Sequence, residues 1–176
     1  MAIREIRTVG DDILVKKAKP VTNITPAMHV LLDDMLETMR AKDAVGLAAP
    51  QVGILRRIVV VEMDDELFEL INPEVIAING SQTSNEACLS VPGKCGDIER
   101  PFEVTVRALD RHGEEYTVTV DEFLAAAFCH EIDHLEGELF LDKAENIQFI
   151  TTEQAEERRR LRRLRQGNRR ERRLRR

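Results

Sequence analysis

Apolar residues recur along this chain with two periods, and the change between them divides it into elements. Thr25-Pro26 opens the first helix, with Thr25 at the N-cap and Pro26 at the first helical position. Met28, Leu31, Leu32, Met35 and Met39 then form one stripe at helical spacing, so this helix packs on a core and ends near Lys42. From Arg57 to Glu62 the pattern becomes a β-branched run, read as a strand. Leu67 to Ile71 and Val75 to Ile78 read as two further strands separated by Asn72-Pro73, with a turn at Asn79-Gly80-Ser81. Val104, Val106 and Ala108 alternate with polar residues, as do Tyr116, Val118 and Val120. The turn residues Asp110 to Gly113 lie between them, which predicts a hairpin. Phe123 to Phe128 is apolar on every side and predicts a buried helix, with Asp121 as N-cap and Glu122 in the first turn.

The remaining stretches read less regularly. Residues 1–24 are irregular, with a turn at Gly10-Asp11-Asp12 and apolar anchors at Ile13-Leu14-Val15. Ala44 to Gly53 is rich in small residues and reads as a loop where backbone can approach a ligand. Ser84 to Gly93 ends in a break, and Cys95 follows in a Gly-rich loop. From Thr151 the pattern is helical again. Thr151 and Gln154 form a capping box, Glu156 and Arg160 an i, i+4 pair, and Leu161 and Leu164 a thin stripe. Gln166-Gly167-Asn168 breaks this helix, and the last eight residues are expected to be disordered unless bound. The order predicts an α+β fold. Small antiparallel or mixed sheets surround one buried helix, with an N-terminal core helix and a C-terminal basic helix. Residues 1–150 form the main domain and 151–176 a basic tail.

Composition adds bounds. The 176 residues are 43% hydrophobic and 33% charged, enough for one domain with a real core. No apolar run approaches the length of a bilayer span, and the start lacks a signal-peptide pattern, so no membrane role and a cytoplasmic location are expected. Three cysteines do not make a disulfide framework and read as thiols available to a metal. The net charge of −6 is unevenly spread. Residues 158–176 hold 12 Arg and one Glu, net +11, while residues 1–157 carry −17, which suggests that the tail has its own partner.

The chemistry gathers at His130-Glu131-Ile132-Asp133-His134. Residues four apart share a helix face, so both imidazoles can meet one metal ion, with Glu131 placed to handle the proton of a water. His112 falls in the hairpin turn and His29 off the apolar stripe, so neither is offered as a ligand. A catalytic metal needs a third ligand. Phe140 occupies the position where one group of zinc peptidases has a third His. Glu153, Glu156 and Glu157 are available but read better as helix-start acids. Cys88, framed by Glu86 and Ser90, would give one soft thiolate, with Cys95 and Cys129 as rivals. Cys129 points about 100° away from His130. Gln51 could donate to an oxyanion, although stabilising its own loop is the plainer reading of that segment alone.

Three motifs taken together, Gly46-Leu47-Ala48-Ala49-Pro50-Gln51, Glu86-Ala87-Cys88-Leu89-Ser90 and His130 to His134, resemble the peptide deformylases. The resemblance covers roughly residues 3–146, including Gly10-Asp11 and Gly137 to Phe140. It implies removal of the formyl group from the N-terminal formyl-methionine of nascent polypeptides. Cys88, His130 and His134 would hold one divalent metal, Fe(II) first, with Zn, Ni or Co possible. Glu131 would be the general base and acid, and Gln51 and the Leu89 N–H the oxyanion donors. Val45, Gly46, Phe123, Ala126 and Ala127 would contact substrate, and Arg100 would pair with Asp133. A C-terminal helix that docks on the ribosome is also implied, which matches the Arg-rich tail. Ala44 and Ala87 stand where the family usually has Gly, and would be strained at φ above zero. Cys95 stands near where many relatives have Arg. Two other readings remain at this point. One is a ribosome-associated member of the fold without turnover, and the other a zinc endopeptidase with a Glu ligand.

Overall fold

The structure is a computed structural model and describes residues 2–64, 66–151, 153–155, 157, 158 and 161. Helix α1 spans Pro26–Ala41, with Pro at its start; Thr25 takes the N-cap backbone conformation, but its side chain makes no capping bond. Its stripe packs Leu31, Leu32, Met35 and Met39 against one face of a five-stranded antiparallel sheet.

That sheet runs β1 (Gly46–Ala48), β2 (Ile58–Met63), β3 (Glu66–Asn79), β6 (Glu103–Leu109) and β7 (Glu115–Asp121) in spatial order. Helix α2 (Glu122–Glu136) covers its other face. The central position of β2 accounts for its unbroken apolar run. Ile58 and Val60 face the α1 side, while Val59 and Val61 face Leu124, Ala125 and Phe128 of α2. A strand buried on both faces needs no alternation.

A second sheet holds β4 (Gln82–Cys88), β5 (Val91–Arg100) and β8 (Glu145–Phe149), with β5 in the middle. The β4–β5 hairpin closes through the two-residue turn Leu89-Ser90. It carries the Cys88 segment to the end of α2.

Several expectations are corrected. The small-residue segment after α1 is not wholly a loop: Gly46–Ala48 pairs with β2, and Ala49–Val52 is a 3₁₀ turn. The two strands expected on either side of Asn72-Pro73 are one. Asn72 adopts φ 52, and the register shifts between Ile71 and Glu74, so Pro73 sits in a bulge where no ladder donor is needed. The Asn72 side chain fastens that bulge by exchanging two hydrogen bonds of 2.8 Å with the Val21 backbone. Cys95 lies in β5 rather than a loop and is fully buried. Strand β8 was not foreseen: its only apolar residues, Ile147 and Phe149, make too short an alternation to read as a strand, and all five residues are exposed.

At the C-terminal end, Thr151 and Gln154 make both bonds of the capping box, and residues 153–155 are helical. Leu161, also helical, is exposed. The Glu156–Arg160 pair, Leu164, the break at 166–168 and the last eight residues lie outside the described residues. Among the described residues, no helix is long and apolar enough to cross a membrane.

Candidate metal-dependent active site

Helix α2 is two-faced. Leu124, Ala125, Phe128 and Leu135 face the sheet, with the half-buried Ala127 also packed against that core, leaving Phe123, Ala126, His130 and His134 along the other side at three- and four-residue steps. Cys88, the last residue of β4, meets this second face. Its Sγ lies 3.2 Å from His134 Nε2, and single ligand atoms of Cys88, His130 and His134 all lie within 4.8 Å of one another. Among the described residues this is the one such cluster of His, Cys and carboxylate groups.

The expected partner of the cluster was Arg100 with Asp133, and their bond is present at 2.7 Å. The inner partner, Glu86, was missed. Glu86 Oε2 lies 2.8 Å from His130 Nδ1, which leaves Nε2 of that ring for the cluster. Arg100 grips Glu86 with two further bonds of 2.8 and 3.0 Å. Lys143 completes the series, 3.0 Å from Asp133 and 2.5 Å from Glu138. The signal for Glu86 was its place two residues before Cys88, since alternate residues of a strand share a face.

Burial alone would raise the Cys88 thiol, but His134 and His130 outweigh it and hold the thiol well below its ordinary value. Burial likewise works to lower His130, yet Cys88 and Glu86 hold it well above its ordinary value. Cys88 and His130 thus each favour the charged form of the other. Cys129 is different: burial pushes its thiol up to about 11, and it packs against the core. Glu153 and Glu157 are exposed on the C-terminal segment and outside the cluster, and Glu156 lies outside the described residues.

Glu131 projects beside the cluster and is 5% exposed. Burial pushes its carboxyl up to about 7, against the opposing pull of His130 and His134. Its Oε2 and His134 Nδ1 are buried without a hydrogen-bond partner. Gly46 lies against it: a Cβ built there would fall 2.6 Å from Glu131 Oε1 and 2.7 Å from Cγ. Gln51 is fully enclosed in its 3₁₀ turn. Its Oε1 accepts the Ala48 N–H at 2.8 Å, and its Nε2 donates toward Ser90 Oγ at 3.3 Å and Cys88 Sγ at 3.4 Å. Leu89 occupies the turn immediately after Cys88. Val45 is buried next to Gly46, Ala126 is buried, Ala127 is half-buried, and Phe123 is exposed at the mouth of α2. Neither Ala44 nor Ala87 has φ above zero, so the extra methyl strains neither backbone.

A thiolate and two imidazoles suit a borderline transition-metal ion. The buried, unpartnered carboxylate oxygen of Glu131 beside them is the kind of group that requires a ligand or ordered water. The residues present therefore fit a metal that keeps one position for a reacting water.

Comparison with known proteins agrees with this geometry. A sequence model of the polypeptide deformylase family matches residues 3–149. The chain is 54% identical over 159 residues to a peptide deformylase of Acetivibrio thermocellus, covering 90% of this chain and 92% of that one. It is 53% identical over 156 residues to a peptide deformylase of Caldanaerobacter subterraneus, covering 89% and 97%. Among solved structures, a peptide deformylase from Legionella pneumophila superposes with a TM-score of 0.80 at 40% identity, covering 82% of this chain and 88% of that one. One from Synechococcus elongatus in complex with actinonin superposes at 0.79 and 38% identity, covering 81% and 79%.

Proposed function

The chain belongs to the polypeptide deformylase family, and from that premise we propose how its residues divide the work of removing the formyl group from N-terminal formyl-methionine. Cys88, His130 and His134 hold one divalent ion. The donor set suits Fe(II), and Zn, Ni or Co can take the same ligands. Bound there, the ion supplies Lewis acidity, which acidifies water and polarises a carbonyl.

Glu131 takes the proton of the attacking water, whose oxygen adds to the formyl carbon. A carboxyl lifted toward neutrality by burial is suited to accept that proton and return it. The Gln51 amide and the Leu89 N–H donate to the oxyanion that develops. Glu131 then protonates the leaving amine as the C–N bond breaks, releasing formate and a free N-terminus. Gly46 and Val45 line one side of the substrate path, and Phe123, Ala126 and Ala127 receive the methionine side chain. Arg100 and Asp133, with Glu86, hold His130 in place.

The observation that carries this reading is the Cys88–His130–His134 cluster with the buried, unpartnered Glu131 oxygen beside it. The test is anaerobic turnover of a formyl-Met tripeptide, with metal determined on the same sample. Formate release with about one metal per chain, abolished in Glu131→Ala while metal remains, is the expected result. A metal-loaded protein without turnover would overturn it.

Residues 1–150 act as the catalytic domain. The tail of 151–176 is read as an anchor to the ribosome through RNA phosphates, on the strength of its net charge of +11 over the last 19 residues. A nascent-chain substrate places the enzyme in the cytoplasm.

A further inference from the structure

We propose that Ser90 is a positioning residue that aims the Gln51 carboxamide at the developing oxyanion. This rests on the donor role given to Gln51 above. Ser90 is fully buried in the β4–β5 turn. Its backbone is already fixed: its N–H donates to Cys88 Sγ at 3.4 Å, and its carbonyl accepts the Val9 N–H at 2.7 Å. The hydroxyl is therefore free of any duty in holding the turn, and what it meets is Gln51 Nε2 at 3.3 Å.

A carboxamide has one acceptor and two coplanar donors. The Ala48 N–H, 2.8 Å from Oε1, decides which end of the Gln51 amide is oxygen. A reversed amide would set two donors against each other there and bring its oxygen against the Cys88 sulfur. The terminal torsion of Gln is broad, so this one bond does not fix the plane. Ser90 Oγ takes one Nε2 hydrogen, and the plane is then set by two points. The second hydrogen is directed at Cys88 Sγ, 3.4 Å away, and so into the ligand cluster. An oxyanion forming beside the cluster would compete with that sulfur for a hydrogen whose amide plane is already set, which is the condition for a preorganised donor. Without Oγ, a buried N–H loses its acceptor, and the amide is free to tilt toward the sulfur.

The test compares Ser90→Ala, Gln51→Ala and the double variant on a formyl-Met peptide, with kcat taken per bound metal. Ser90→Ala should lower kcat by roughly tenfold, less than removal of the donor itself, and leave KM nearly unchanged. In the Gln51→Ala background, Ser90→Ala should cost nothing further, because the hydroxyl acts only through that amide. In the zinc-loaded protein, the side-chain NH2 signals of Gln51, identified by their loss in Gln51→Ala, should shift in Ser90→Ala. Wild-type kcat in Ser90→Ala, a loss additive with that of Gln51→Ala, or an unmoved NH2 pair would each overturn the proposal. Wild-type kcat in Gln51→Ala would instead overturn the donor role of Gln51. Ser90→Gly removes the same atom with less bulk and carries the test if the alanine variant does not fold.

Discussion

Gly46 is the residue at which two roles can be told apart. A substrate contact was expected of it, and its Cα also forms the wall against which Glu131 rests. In Gly46→Ala the new methyl would overlap the Glu131 carboxylate and its Cγ, so the acid–base group must move. A displacement near 1 Å at a reacting group costs about 10²-fold in rate. The expected result is a fall in kcat of that order with metal content unchanged. A rise in KM with kcat preserved would show that Gly46 serves substrate binding alone. The two histidines were legible, because ligand chemistry restricts residue type and helical spacing restricts position, whereas Cys88 was singled out from Cys95 and Cys129 only by the resemblance, since it comes from a strand distant in sequence. Glu86 was harder to read. Its carboxylate acts through His130, and nothing in the pentapeptide around that ligand announces a partner 44 positions upstream. Ala44 and Ala87 could not be judged from sequence, since whether a methyl strains the chain depends on φ, and both lie outside the left-handed region.

At the level of elements, α1 was read correctly in type and nearly in extent because it carries a long one-period stripe, and α2 in type from an apolar run too long for a surface element. The strands were less faithful. Pro73 broke the pattern of β3 although a bulge carries the strand through it, and β8 has no buried face to leave a trace. The end of α2 matters most for the site, since His134 lies two residues before it. Gly137 closes the helix at φ 78, its N–H bonded to the His134 carbonyl, and a Cβ there would lie 2.8 Å from the Val15 carbonyl carbon and oxygen. Backbone cannot yield as a side-chain tip can. Gly137→Ala therefore combines a left-handed penalty with a clash, a destabilisation of about 2–4 kcal/mol. Thermal unfolding at matched metal loading should show Tm lowered by roughly 5–15 °C. A shift below about 2 °C would mean that the 3₁₀ segment Asp12–Val15 moves aside at little cost.

Over the whole molecule, the α+β class was legible, but the division into two sheets was not. Local periodicity says nothing about whether β4 and β5 join the larger sheet or leave it to deliver Cys88 to α2. The charge asymmetry was visible from the start, and the structure sharpens what it predicts. The match to the family ends at residue 149, and the tail's arginines follow it. The first of them, Arg158, is engaged with the body: it donates to Asn85 Oδ1 at 2.7 Å and to Cys95 Sγ at 3.2 Å. A partner rich in phosphate would then be met by the arginines beyond it, nine in residues 162–176 against one Glu. Truncation after Leu161 removes these and leaves Arg158 in place. The truncated chain should keep its kcat on a free formyl-Met peptide and lose co-sedimentation with ribosomes. Full-length binding should weaken about 10³-fold or more between 50 and 200 mM salt if six or more phosphates are contacted. Equal co-sedimentation of the two chains would mean that the basic tail does not carry the chain to the ribosome, and would turn its charge inward, toward the −17 carried by residues 1–157.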